Sequence, residues 1–324
     1  MLLTLCMVMS LFAGTTVTAS AADGATTLYV NGVDMLSESS TAPNGVSYDK
    51  STNTLTLTNA ELNQFHIGNP KYDWKYAAVI YAVGGNLTIK LIGDNKITYA
   101  DASEKMQYTC GIYFNNVNLT ITGGGKLAIQ NTATQSKANF YRDICGEENS
   151  SLTINDATVE CVPGSTTETL NAGVYGISLS KGALTVHNGQ LTVRTRNATS
   201  EAYGIALYDM NATHKLDGNS QVTAVAGIND ASWSSDYSYG IFCLSTIQLG
   251  AGAKLYASGE GTAIYENDSS ITAADGAKLS AKGNQGYDKA SNELTEISIR
   301  NNTIKANAVK TYKTIEVTAS ASTP

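Results

Sequence analysis

The chain repeats itself, and the repeat restricts it to a stacked array of short strands. Val79-Ile80-Tyr81 is followed by Leu87-Thr88-Ile89, Gly111-Ile112-Tyr113 by Leu119-Thr120-Ile121, and Gly176-Ile177 by Leu184-Thr185-Val186. Gly204-Ile205, Gly240-Ile241 and Ala263-Ile264 open weaker copies. The step from the key Ile to the next apolar strand is seven residues at 80, 112, 177 and 264. The same step back from Leu152 puts Cys145 at the Ile position of its own copy. Key positions 80, 112, 145, 177, 205, 241 and 264 are separated by 32, 33, 32, 28, 36 and 23 residues. Fixed spacing inside units of variable length marks a solenoid.

Each unit orders three strands: one at the key Ile, one such as Leu87-Thr88-Ile89, and one such as Leu127-Ala128-Ile129 or Leu191-Thr192-Val193. Apolar and polar residues alternate in each, and no stretch carries a helical period. A propeller needs four strands per repeat. Three strands predict an all-β chain, a parallel β-helix of about seven coils, in which one coil buries the inward face of the next. The 23-residue interval is a bare coil. The longer ones carry inserts expected at 98–109, 130–142, 162–173, 194–202 and 226–238, all at one corner.

Met1 to Phe12 is apolar and leads to Ala19-Ser20-Ala21, the pattern of a signal peptide over residues 1–21 and hence of a secreted protein. Capping strands are expected over 22–62, with Leu28–Val33 and Thr54–Leu57 as a hairpin, and again over 285–318. The β-helix fills 63–284, and 319–324 is a tail. Tyr48–Thr56 echoes Tyr287–Thr295. No later segment is apolar for long enough to span a membrane. The net charge is −7 with no basic run, which argues against nucleic acid as a partner. Cys110, Cys145, Cys161 and Cys243 are spread over separate repeats without a C-x-x-C pair, and they are expected to be small buried side chains. Cys110 and Cys145 lie two places apart in the repeat frame, on the same face of neighbouring coils, and such diagonal neighbours are roughly 7 Å or more apart, too far for easy bridging.

Leu28-Tyr29-Val30-Asn31-Gly32-Val33-Asp34, Gly45-Val46-Ser47-Tyr48-Asp49 and Asn53-Thr54-Leu55-Thr56-Leu57, followed by the Gly-Ile-Tyr and Leu-Thr-Ile units, resemble the right-handed β-helix domains of secreted and cell-surface bacterial proteins. Those domains are described as carbohydrate-binding. The resemblance covers residues 26 to 317. It implies a polysaccharide ligand and, in some members, bound calcium, and it transfers no ligand-binding residue to this chain.

The residues themselves offer a sugar platform. Tyr72, Trp74 and Tyr76 precede the first coil, Tyr108 lies in the first expected insert, and Trp233 and Tyr237 lie in the last. An aromatic face with a polar edge suits the C–H face of a sugar ring. The alternative is that these rings pack loops onto the body. Tyr175, Tyr203 and Tyr239 share one frame position and are expected to stack as a structural ladder. An enzyme reading, a polysaccharide lyase or hydrolase, has only Arg194, Arg196 and Glu201 close together, and no recurring column of carboxylates. A structural surface stalk is a third reading. For calcium, Asn229-Asp230 and Asn267-Asp268 are candidate ligands, although turns favour the same residues. His66, His187 and His214 are too scattered for zinc. No catalytic residue, cofactor or metal ligand is assigned, and the expected function is non-catalytic glycan binding.

Overall fold

The structure, a computed structural model, describes residues 23–68, 75–164, 168–227, 238–261, 263–266, 270–283, 303–305 and 314–318. The expected signal peptide and tail lie outside them.

Each repeat supplies three strands, and each strand pairs in parallel with its counterpart one repeat later, so the chain winds into a three-faced β-solenoid. The first face runs from Tyr76–Val83 to Ile264–Glu266, the second from Asn86–Ile92 to Ser270–Ala273, and the third from Asp94–Tyr99 to Lys278–Gly283. Seven stacked strands on the first face are joined by six parallel pairings, which gives about six turns where the sequence predicts about seven coils. Among the described residues there is no helix long and apolar enough to cross a membrane.

Strand alternation builds the core. On the second face Leu87, Leu119, Leu152 and Leu184 stack in one inward column, with Ile89, Ile121, Ile154 and Val186 in the next. Thr88, Thr120, Thr153 and Thr185 stand between them and point outward. Burying one such apolar side chain contributes roughly 1.5–3 kcal/mol, and only the neighbouring coil offers a surface to bury it against. The corner between the second and third faces turns on Gly93, Gly123, Asp156, Asn188 and Gly218, all with positive φ. Gly, Asn and Asp adopt that conformation at the least cost.

The first face is not flat. Its ladder skips one residue per coil: Ala78 pairs with Cys110 and Ile80 with Ile112, Tyr175 with Tyr203 and Ile177 with Ile205. The skipped residues are Val79, Gly111, Asp143, Gly176, Gly204 and Gly240. Val79 and Ile80 both lie in the core although they are consecutive, so the strand folds between them. The outward residues on either side of the fold face each other, as with Tyr239 and Phe242, whose ring centroids are 6.0 Å apart. A crease therefore runs along the outside of the first face. A Cβ on Gly240 would lie 2.6 to 2.8 Å from backbone atoms of Ser258 and Ala263, and one on Gly111 would lie 2.5 Å from Ile129. That crowding accounts for glycine at these positions.

The register corrects three expectations. Ile112 pairs with Ile144, and Ile144 with Ile177, so Ile144 holds the key position. Cys145 stands one place further on, opposite Tyr113 and Ser178. The ladder slips between Gly146 and Asn149, where Glu148 takes φ 52°. This bulge lengthens the step to Leu152 to eight residues and disguises the frame.

The expected inserts are shorter than they read. Third-face strands continue to Tyr99, Asn131 and Pro163, and first-face strands already begin at Met106, Ala138 and Gly173. Tyr108 and Phe140 are strand residues, because alternation resumes on the far side of the crease.

The N-terminal hairpin is in fact two. Thr27–Val30 pairs with Val33–Asp34 around Asn31-Gly32, both at positive φ, and also runs antiparallel to Tyr76–Val83. Val46–Asp49 pairs with Thr54–Thr58 on the second face. At the other end Thr303–Lys305 and Thr314–Thr318 run antiparallel to the last strands of the second and third faces. The Tyr287–Thr295 echo lies outside the described residues.

Candidate binding site

Aromatic side chains fill the crease from end to end. Tyr29 stacks on His66 at 3.5 Å, and His66 meets Tyr81 edge-on at 4.9 Å. Tyr81 stacks on Tyr113, and Tyr113 lies 4.7 Å from Tyr76 across the fold. Tyr76 stacks on Tyr108, and Tyr108 on Phe140. Further along, Tyr175, Tyr203 and Tyr239 form the expected ladder, with centroids 4.9 and 5.2 Å apart. Phe242 and Tyr265 close the run, nearly parallel at 5.1 Å. Equivalent positions on adjacent strands are about 4.8 Å apart, so like rings in one column stack with little adjustment.

Of the six residues expected to bind sugar, the structure brings Tyr76 and Tyr108 together. They pack on one another rather than present open faces, and are 6% and 9% exposed. Tyr72, Trp74, Trp233 and Tyr237 lie outside the described residues, as do Asn229-Asp230 and Asn267-Asp268. The rings left half-exposed at the crease are Tyr29 and His66 at its start, and Phe140, Tyr208, Phe242 and Tyr265 further along. Tyr208, Phe242 and Tyr265 follow the fold of their coil, and only Phe140 lies in one of the expected inserts.

Polar groups gather where the crease crosses the third to fifth coils. The Arg142 guanidinium lies 4.1 Å from the Tyr108 ring centroid and 5.1 Å from that of Tyr175. Its Nη1 donates to Glu147 at 2.7 Å and to the Cys145 sulfur at 3.2 Å. Burial works against the charge on Arg142, but Cys145 and Glu147 beside it hold its pKa above the ordinary guanidinium value. Ser180 donates to the other Glu147 oxygen at 2.6 Å. Glu201 lies beside the hydroxyls of Tyr175 and Tyr203, whose pKa values are raised first by burial and then by their charged and phenolic neighbours. Burial likewise pushes Tyr208 up to about 12. Arg142 Nε and Ser178 Oγ are buried and without a hydrogen-bond partner among the described residues.

Arg194 and Arg196 do not join this group. Arg196 is buried at the corner after the third face and donates to the carbonyl oxygens of Ala133 and Glu168, fastening two loops. Arg194 is exposed at the end of its strand. The three histidines are in separate places: His66 on Tyr29, His187 against Asp217, and His214 in the core.

The second face offers a different surface. Asn118 donates to Asn86 at 2.9 Å and Ser151 to Asn118 at 2.7 Å, beside the outward threonine column. It is hydroxyl-rich, and its outward rings among the described residues are few: His187, held against Asp217, and Tyr48 on the capping strand. No known family, curated protein or solved structure matches the chain.

Proposed function

We propose that the chain is a secreted or cell-surface polysaccharide-binding module that acts without catalysis, as an adhesin or substrate-attachment domain. The observation that supports this is the crease: half-exposed rings set beside Arg142, Glu147 and Glu201 along the solenoid axis. Rings give sugar C–H faces an apolar contact, and the charged groups accept from or donate to hydroxyls. The ligand lies along the crease across the third to sixth coils. The lyase or hydrolase reading draws on Arg194, Arg196 and Glu201, and Arg196 is instead engaged with the carbonyl oxygens of Ala133 and Glu168.

Affinity electrophoresis in gels containing plant or microbial polysaccharides, with and without chelator, tests the proposal. Phe242→Ala and Tyr208→Ala should each weaken retardation about two- to tenfold, since stacking beyond area burial is worth roughly 0.5–1.5 kcal/mol. Prolonged incubation should release no reducing ends and no unsaturated products. Release of either would replace the binding module with an enzyme, and unchanged retardation in both variants would move the site to the threonine face.

A further inference from the structure

The crease brings two thiols together that a flat sheet would keep apart. Cys110 pairs with Arg142, and Cys145 follows Arg142 by three residues. Tyr203 and Phe242 stand in the same relation one coil apart, and their centroids are 5.6 Å from each other and almost parallel. Tyr239 and Tyr265 repeat it at 5.2 Å. Residues so placed face each other across the fold. Cys110 and Cys145 are both wholly buried in one outer cluster with Tyr113.

We propose that Cys110 and Cys145 are a dithiol pair that closes to an inter-coil disulfide when the folded chain meets a small-molecule disulfide. Both sulfurs are closed off in the folded face, so the external disulfide reaches Cys145 through a local opening of the strand, and the groups beside that sulfur then favour the reaction. Arg142 Nη1 sits 3.2 Å from the Cys145 sulfur, so a thiolate there has a cation beside it, and Glu147 lies 3.6 Å away to receive the thiol proton. Cys145 sulfur attacks one sulfur of the external disulfide R–S–S–R, forming a mixed disulfide and releasing one thiol, which takes up the Cys145 proton. Cys110 sulfur then attacks the Cys145 sulfur, loses its own proton and releases the second thiol. Two protein thiols are oxidised and one external disulfide is reduced to two thiols. Burial raises the Cys110 pKa, and the neighbouring Cys145 raises it further, which fits Cys110 as the later, resolving sulfur. Cys161 and Cys243 have no such place: neither lies in the outer cluster, and both are buried in the core.

Incubating the folded full chain with oxidised glutathione, then alkylating under denaturing conditions and mapping peptides by mass, tests this. The chain has five cysteines, and the number alkylated should fall by two, with Cys110 and Cys145 peptides linked. The oxidised chain should melt at a higher temperature than the reduced one. Cys110→Ser should trap glutathione on Cys145, and Cys145→Ser should yield no linked pair. Alkylation of all five thiols after treatment of the wild-type chain, or a linked pair that includes Cys161 or Cys243, would overturn the proposal. The wild-type map decides even if either variant folds poorly.

Discussion

His214 stands where the other coils place Leu or Ile: it follows Leu184 in its column and pairs with Ile247. The Leu184 amide donates to its Nδ1, so the ring proton sits on Nε2 and is given to Ser245. Burial lowers its pKa to about 4. The unfolded chain therefore binds a proton between roughly pH 6.5 and 4 that the fold refuses. Stability from this group is complete above about pH 6.5 and falls as pH drops through 4, by about 3 kcal/mol in all. Asp143 has the opposite sign. It occupies the glycine column of the crease, wholly within the core, and burial raises its pKa well above the usual value although Tyr99 donates to it at 2.9 Å. Its contribution is complete below about pH 4 and is lost as pH rises towards the folded value. Urea denaturation across pH separates the two. His214→Leu should flatten the acid limb, and Asp143→Asn, which keeps an acceptor for Tyr99, should flatten the limb above pH 4. An unchanged limb in either variant would show that the group is not the one titrating.

The strand on the first face is a folded element. At four of the six skipped positions, Gly111, Gly176, Gly204 and Gly240, the fold is made without a side chain, whereas Val79 and Asp143 bury theirs. Gly240→Val should destabilise by about 1–3 kcal/mol, because its Cβ meets backbone atoms of Ser258 and Ala263, which cannot rotate away. Equilibrium unfolding in guanidinium measures this, and a change under 0.5 kcal/mol would mean that the crease can open. These elements also show which parts of the fold are legible in sequence. Alternation in Leu119-Thr120-Ile121 reveals which side is in, because one face is apolar and the other is not. The same logic fails at Cys145, since a small apolar residue suits either side and one bulged residue at Glu148 restores a plausible spacing. Tyr108 reads as a loop residue for a related reason. Two consecutive inward residues at the fold break the period, so the strand beyond it looks irregular. The ladder of Tyr175, Tyr203 and Tyr239 was visible because ring type and frame position coincide. Arg142, Glu147 and Glu201 come together only through stacking, and no local pattern announces that.

At the scale of the molecule, the solenoid must end twice, and each end is an edge that could recruit another chain. Antiparallel strands meet this need: Thr27–Val30 lies over the first, and Thr303–Lys305 and Thr314–Thr318 lie over the last. Ending the chain at residue 302 would leave Ser270–Ala273 and Lys278–Gly283 unpaired on one side. The shortened protein should self-associate in a concentration-dependent way by light scattering, while the full chain keeps a constant mass over the same range. Equal masses would show that other segments shield those edges. The crease has a different consequence at this scale. It runs parallel to the long axis, with its rings on one side of the rod and threonine and asparagine on another. A surface that takes up the rings must therefore meet the rod lying down, over several coils at once. Detachment then requires either a peeling motion from one end or simultaneous release along the length, so grip strengthens with each coil that touches.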